Sequence, residues 1–501
     1  KDVSLQSRKF AAYLQNVIGL KKGDRIAMMM PNLMQYPVAI FGALRAGLIV
    51  VNVNPLYTPR ELDHQMRDSG AKAIVILENS AHVLSAVIEN TEIEHVIITK
   101  IGDYLGPIKG RLMNFVVKYI KRMVPRYSLP NKIAFKSTFN RPVTDLDETP
   151  ISINDLAFLQ YTGATTGLSK GSMLSHGNVI ASLEQLEAML NDLISNEGGD
   201  IYINALPIYH IYSLAVIVLA GYTNGGLNVL ITNPRDTDGF IKEIKKWPFT
   251  FFNGVNTLYE SLLNHPEIKN VNFDAMKLSG TGGSACRKST AERWQELTGN
   301  VLLEGYGLSE TSPSVTASPA YLTKFNGFVG LPVPSTEISI RDDNGKQVRR
   351  GEPGEICVKG PQVMQGYWQN EEATKEAIGE DGFFKTGDIG TLNSDGFIKI
   401  VDRKKDMILV SGFNVYPNEI EDVVSLHPDI IEAACIGVQD EKTTEAVKLF
   451  VVKGNPSLSV DGVMDYCREN FTGYKVPKYI EFIDELPKTN VGKVLRRSLR
   501  E

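Results

Sequence analysis

An α/β protein in two unequal parts is what the 501-residue sequence predicts, on three observations. Short apolar runs alternate with amphipathic stretches through the first half, the signature of doubly wound α/β layers. From Gly330 the pattern turns to short strands and turns, which suggests a small β-rich subdomain. From Met407 to Glu501 the chain closes with a compact α/β unit. The expected organisation is a large N-terminal domain over 1–402, made of doubly wound α/β subdomains plus the β-rich piece. A small α/β C-terminal domain over 403–501 follows it.

Taken in order, Arg25 to Met30 reads as a strand, Tyr36 to Arg45 as a helix and Leu48 to Val53 as a strand. Glu61 to Asp68 reads as a helix, with Ala73 to Leu77 and His95 to Thr99 as further strands. Residues 104–144 hold no Asp or Glu but carry Lys109, Arg111, Lys118, Lys121, Arg122, Arg126, Lys132, Lys136 and Arg141. Between these charges lie apolar residues including Met113, Val116, Val117 and Ile120, giving an amphipathic basic helix that ends before Pro125. Such a helix either binds an anionic membrane surface or packs on the protein with a solvated basic face.

Leu156 to Gln160 reads as a short buried strand, and Ser175 as the N-cap of a helix starting near Asn178. Between them runs Tyr161-Thr-Gly-Ala-Thr-Thr-Gly-Leu-Ser-Lys-Gly171. Its glycines allow close backbone approach, its hydroxyls donate hydrogen bonds, and Lys170 supplies a point charge, a set that suits a polyphosphate. The Walker spacing is absent. A plain polar strand-to-helix turn is the alternative.

Further on, Ala205 to His210 precedes an apolar run, and Phe251 to Tyr259 reads as a strand-to-helix turn. Two glycine-bearing turns follow, Ser279 to Ser284 and Glu304 to Thr311. Phe384-Lys-Thr-Gly-Asp388 places a carboxylate just after a glycine turn, where it can accept from both hydroxyls of a ribose. After the boundary at Val401–Asp406, Glu419 to Leu426 and Val460 to Phe471 read as helices, and Glu432 to Val438 and Val447 to Val452 as strands. A closing segment from Leu486 to Arg497 puts Lys493 on a glycine-containing exposed loop.

Composition narrows the classes. A hydrophobic content of 43% and a charged content of 22% are ordinary for a soluble globular protein. A net charge of −5 argues against a general nucleic-acid binder. The four cysteines, Cys286, Cys357, Cys435 and Cys467, form no C-x-x-C pair, so no disulfide framework or zinc site is expected and a reducing cytosol is the natural setting. The longest apolar run, Leu214 to Tyr222, is too short to span a bilayer, and no signal peptide opens the chain. Residue 1 is Lys, so an N-terminal piece is expected to be missing.

The phosphate-type loop and the motifs after it resemble, in order, those of adenylate-forming enzymes: acyl-CoA synthetases, luciferases and peptide-synthetase adenylation domains. The similarity covers essentially the whole chain and is closest to bacterial long-chain fatty-acid–CoA ligases. Asn52 to Leu62, Ile400 to Glu421 and Thr472 to Pro477 carry it further. The resemblance implies a two-step reaction. A long-chain fatty acid and MgATP give acyl-AMP and pyrophosphate, and the thiol of CoA then displaces AMP.

The same resemblance implies the site. Thr162, Gly163, Thr165, Thr166, Gly167 and Lys170 would hold the phosphates. Gly283, Ser284, Gly305, Tyr306, Gly307 and Ser309 would form the adenine slot, with serine at 309 where the family usually has threonine. Asp388 and Arg403 would hold the ribose, and Glu310 would help hold Mg²⁺, which takes hard oxygen ligands. His210 would line the acyl pocket near the carboxylate, with Gly254 letting the chain pass. Lys493 would be the catalytic lysine, bridging carboxylate and phosphate oxygens. Lys405 would be the hinge of a mobile C-terminal domain, whose second pose presents a CoA-binding face including Gly412. Ala164 departs from the glycine common in this subfamily, and alanine is costly if the loop needs φ > 0 there.

Peripheral association with the inner face of the membrane is expected from the basic helix, no nucleic-acid partner is expected, and the resemblance leaves room for a homodimer. A fatty-acyl–AMP ligase feeding a carrier protein and a non-catalytic fatty-acid-binding relative are the rival readings. Retention of Lys493, Glu310 and Asp388 speaks against the latter.

Overall fold

Two seven-stranded sheets carry the N-terminal part of the computed structural model, which describes residues 2–140, 142, 145–161, 169–195, 198–489 and 492–500. In the first sheet, strands Lys132–Ala134, His95–Thr99, Ala73–Leu77, Arg25–Met29, Ile49–Asn52 and Leu156–Tyr161 lie parallel in that spatial order. Ala73–Leu77 is apolar throughout and buried throughout, because a parallel sheet is covered on both faces. The covering helices start and stop by local chemistry. Pro59–Ser69 begins at Thr58, which forms a reciprocal capping box with Glu61, and it ends at Gly70 with φ 57°.

Gly171–Ser175 completes this sheet antiparallel to Leu156–Tyr161, with Tyr161 opposite Gly171. The chain therefore doubles back as a hairpin strand before the helix, where the sequence suggested a direct strand-to-helix loop. Pairing satisfies backbone groups that burial would otherwise leave orphaned. Helix His176–Leu190 then starts at Ser175, whose hydroxyl accepts from the Asn178 N–H in a second capping box.

The second sheet has the order Leu331–Pro332, Ser314–Ala317, Leu302–Gly307, Leu278–Gly282, Phe251–Gly254, Ile201–Asn204 and Leu227–Leu230. Its last five strands are parallel, and the first two join antiparallel. Tyr36, Phe10, Phe135 and Phe158 lie in the first core, and Trp294, Tyr259 and Phe252 in the second. The basic segment forms helix Pro107–Phe115, which widens into a last turn, Val116–Ile120. The helix ends earlier than Pro125.

A four-stranded antiparallel sheet, Glu337–Arg341, Gly354–Lys359, Phe384–Leu392 and Ile398–Arg403, is the β-rich piece. The C-terminal unit packs helices Pro417–Val424 and Val460–Asn470 on a five-stranded sheet. At its junction with the rest lies the guanidinium of Arg496. Arg496 Nη2 donates to Glu421 Oε2 at 2.8 Å and to Asn418 Oδ1 at 2.6 Å. Its Nη1 lies 3.4 Å from Asp406 and 3.7 Å from Asp402. Asp402 is buried, and burial pushes its carboxyl up to about 6 against the pull of Arg496.

Removing Arg496 would strand Asp402 and Glu421 and leave Asp406 with Arg500, whose Nη2 lies 3.1 Å from it. Arg496→Ala is expected to destabilise the C-terminal unit by about 3–5 kcal/mol, the cost of breaking a buried ion pair from one side. Urea unfolding followed in that unit checks it, and a loss below about 1 kcal/mol would class the cluster with exposed pairs.

Candidate active site

The site is built on the register between two strands of the β-rich piece, which places Asp388 opposite Arg403. Asp388 Oδ1 accepts from Arg403 Nε at 3.0 Å, and Oδ2 accepts from the Tyr306 hydroxyl at 2.6 Å. Asp388 is not just after a turn, as the sequence suggested, but inside strand Phe384–Leu392, where Gly387 takes φ 71°. The two glycine-bearing segments are likewise strand ends, with Gly282 paired to Gly305. A Cβ at Gly307 would lie 1.6 Å from the Pro313 carbonyl oxygen, so only glycine fits there. Gly283 (φ 76°) and Ser284 leave the first of these strands. Ser309 and Glu310 form a single helical turn after the second.

Lys493 is half-buried rather than exposed. Its turn is closed by the Gly492 N–H on Thr489 O at 2.9 Å and by the Lys493 N–H on Thr489 Oγ1 at 3.1 Å. Gly492 lies so close to helix Asn256–Leu263 that a Cβ would be 2.4 Å from Thr257 Oγ1. Burial first, then the positive charges of Arg403 and Lys405, holds the Lys493 pKa down to about 8, with Asp388 opposing.

His210 faces the same ammonium. Burial, and then Lys493, lowers its pKa to about 4, so the imidazole is neutral near pH 7. The Tyr212 N–H donates to His210 Nδ1 at 3.3 Å, which leaves the proton on Nε2. A buried polar chain sets this position. The Tyr36 hydroxyl donates to Asn52 Oδ1 at 3.0 Å, Asn52 Nδ2 to Gln160 Oε1 at 3.0 Å, and Gln160 Nε2 to the Tyr209 carbonyl at 2.8 Å.

Glu310 is buried, and desolvation raises its pKa. The Tyr367 hydroxyl donates to Glu310 Oε1 at 2.9 Å, and Lys170 Nζ sits 5.1 Å from the centre of the same ring. Tyr367 thus joins the described end of the phosphate-type loop to Glu310. Thr162, Gly163, Thr165, Thr166 and Gly167 lie outside the described residues, as does Ala164. Among the described residues, no group of three His, Cys, Asp or Glu side chains could hold a metal unaided. One carboxylate such as Glu310 fits a divalent ion held chiefly by polyphosphate and water oxygens. Gly412 takes φ 84° on an exposed hairpin turn with open space over its Cα, and it is not brought to this cluster.

A narrow cleft runs between helix His176–Leu190, the wide helix Ser213–Leu219 and the second sheet. Leu183, Leu186, Leu190, Val216, Phe251 and Leu278 line it. Asn253 also lines the cleft, and its Oδ1 accepts from the Tyr212 hydroxyl at 3.4 Å. Gly254 leaves no passage, because the Tyr259 ring (2.9 Å) and Leu258 occupy the space beside its Cα. Tyr212, Thr257 and Tyr367 carry no local motif that would have singled them out. The assembled chemistry is a knot of cations around one carboxylate, a neutral imidazole beside it, and an apolar cleft lined in part by a partner of Tyr212.

The AMP-binding enzyme family model matches residues 1–368, and the AMP-binding enzyme C-terminal domain model matches residues 419–493. The long-chain-fatty-acid–CoA ligase of Escherichia coli O157:H7 is 56% identical over 497 residues, which are 99% of this chain and 88% of that protein. ATP-bound MatB from Rhodopseudomonas palustris is 29% identical and superposes with a TM-score of 0.86, covering 99% of this chain and 92% of its own. The apo form of MatB covers the same shares at the same identity, with a TM-score of 0.74. With a large and a small α/β domain, these motifs and full-length similarity, the chain belongs to the AMP-binding enzyme family.

Proposed function

We propose that this chain is an ATP-dependent long-chain fatty-acid–CoA ligase that works through an acyl-adenylate. The observation that carries the reading is the seating of the Lys493 turn, from the C-terminal unit, against Thr257 of helix Asn256–Leu263, within electrostatic reach of Asp388, Arg403 and His210. A carboxylate and an α-phosphate repel each other, so the first step needs fixed positive charge where the two meet. Lys493 bridges the two anions as the carboxylate oxygen attacks phosphorus and pyrophosphate leaves. His210, neutral, offers Nε2–H to the fatty-acid carboxylate, and the cleft takes the apolar tail.

Asp388 has two donors on it and free lone pairs left for ribose hydroxyls, with Arg403 alongside. Gly283, Ser284, Gly305, Tyr306, Gly307 and Ser309 line the adenine slot. Thr162, Thr165, Thr166 and Lys170 take the outer phosphates, with Gly163 and Gly167 giving close backbone approach. Glu310 would hold Mg²⁺, which supplies charge neutralisation on the phosphates when bound.

In the second step the CoA thiolate attacks the acyl carbon and AMP leaves, and a face including Gly412 replaces the Lys493 turn. We place the division of domains between 402 and 403 and the pivot at Lys405. Lys404 is tied to Asp343 at 2.9 Å, to Glu355 at 3.1 Å and, through its N–H, to the Gly387 carbonyl at 2.9 Å. These ties favour rotation after Lys404. The better superposition on ATP-bound than on apo MatB supports an adenylating pose.

The fatty acid partitions into lipid, and we place the enzyme peripherally on the anionic inner face of the membrane. No helix among the described residues is long and apolar enough to cross a membrane. Ile108, Leu112, Phe115 and Tyr119, spaced along one helical face, are 82%, 63%, 53% and 63% exposed. Lys109, Arg111, Lys121 and Arg122 are exposed among them. Val117 is instead buried, and Lys118 is held by Glu78 at 2.8 Å, so these two serve the protein's own packing.

Four outcomes test the reading. Lys493→Ala should lower acyl-AMP formation about 10²-fold or more, while thioester formation from supplied acyl-AMP survives. Equal loss in both half-reactions would refute the role. Lys493 is charged below its pKa of about 8, so acyl-AMP formation at low substrate should fall as pH rises through 8, and Lys493→Arg should lack that limb. Lys405→Pro, restricting φ, should spare adenylation and slow thioesterification; a normal overall rate would remove the pivot. On anionic vesicles, Ile108→Ser/Leu112→Ser/Phe115→Ser and Lys121→Glu/Arg122→Glu should each sediment less than the parent, the parent's binding falling with salt, with activity on a soluble medium-chain acid unchanged. Sedimentation like the parent would exclude this face.

A further inference from the structure

We infer that Arg287 and Glu432 form a latch that holds the C-terminal unit, and with it the Lys493 turn, in the adenylating pose. The inference rests on the proposed two-step reading, in which that unit must leave before CoA reacts.

Arg287 follows the first glycine-bearing strand and belongs to the large domain. Its backbone N–H donates to Asn256 Oδ1 at 3.0 Å, and its Nη1 to Glu260 Oε1 at 3.1 Å. Thr290 Oγ1 reaches the same carboxylate oxygen at 3.1 Å. The guanidinium is thereby fixed on helix Asn256–Leu263, the helix whose Thr257 meets Gly492. Its free edge crosses to the C-terminal unit. Nη2 lies 4.0 Å from Glu432 Oε1, and Nη1 lies 3.5 Å from the Ile431 carbonyl.

Glu432 stands in strand Ile430–Asp440 and also takes Lys488 Nζ at 2.6 Å on the same oxygen. Lys488 pairs by backbone with Val494, across the turn that carries Lys493. One carboxylate thus links the base of the Lys493 turn to an arginine anchored in the other domain. Helix Asn256–Leu263 meets the turn twice, directly at Thr257 and through Glu260, Arg287, Glu432 and Lys488.

The side chains of Arg287 and Glu432 are 33% and 15% exposed, so the pair is screened only in part. Rotation of the C-terminal unit breaks the Arg287–Glu432 contact, while Glu260–Arg287 and Lys488–Glu432 travel intact with their own domains. The latch therefore acts on the equilibrium between poses and not on either chemical step, and it can shift that equilibrium only by its own contact free energy. Arg287 is a positioning residue, since it touches none of the reacting atoms in this arrangement.

The test measures each half-reaction in the full chain. Arg287→Gln and Glu432→Gln should each slow acyl-AMP formation about two- to fivefold, the range for a partly exposed pair. Thioester formation from supplied acyl-AMP should be unchanged or faster, and the KM for ATP unchanged. Arg287→Gln/Glu432→Gln should lose less than the sum of the two single losses, because the changes share the Arg287–Glu432 contact while each also removes one partner of its own. Equal loss in both half-reactions, additive losses in the double variant, or a raised KM for ATP would each overturn the latch. If the parent itself makes no acyl-AMP, the proposed function fails, and that outcome is separate from these.

Discussion

The carboxylate of Asp388 is the group on which the site depends. Arg403, Lys405 and Lys493 converge in a half-buried place where three cations would repel, and one anion fixed in a strand makes the convergence tolerable. Two hydrogen bonds hold that anion, from Arg403 across the ladder and from Tyr306 in the second sheet. The β-rich piece and the second sheet therefore meet at one side chain, and the C-terminal unit brings the charge of Lys493 within its reach. The cost appears in the cations: burial presses both Lys405 and Lys493 down to about 8.

The imidazole is fixed by a different device. Tyr36, Asn52, Gln160 and the Tyr209 carbonyl form a chain of hydrogen bonds through the first core, and it ends one residue from His210. Asn32 adds a link between the sheets, donating to the carbonyls of Asn204 at 3.2 Å and Leu206 at 2.8 Å. Such buried polar chains cost stability when incomplete and fix geometry when satisfied.

Much of this was legible in the chain, for identifiable reasons. The apolar runs Ala73–Leu77 and His95–Thr99 are buried parallel strands with no competing local signal. Asp388, Tyr306, Glu310 and Lys493 were visible as residue types in an ordered set of motifs. The strand character of the glycine segments was not, because glycine disfavours strands by itself; it is required here by backbone contacts such as Gly307 against Pro313. Lys493 looked exposed because the groups around its turn, Thr257 against Gly492 and the more distant Arg403 and His210, lie far away in sequence. Arg287 and Tyr367 were silent for the same reason, their partners Glu432 and Glu310 belonging to other elements. That Lys118 serves the protein's own packing was not legible, because its partner Glu78 belongs to a separate strand-to-helix junction.

The strand order of the first sheet bears on how the chain acquires its structure. Ile49–Asn52, fully buried in the finished sheet, pairs on one side with Arg25–Met29 and on the other with Leu156–Tyr161, which is synthesised long afterwards. During translation its second edge stays bare while the basic helix and its flanking segments emerge. Closure waits for a contact of high sequence separation, and such contacts are the slow ones. An unpaired apolar edge held open for that interval invites pairing with another nascent chain. Slowing elongation between Asn52 and Leu156 would accordingly lengthen the exposure of that edge, which chaperones must then cover.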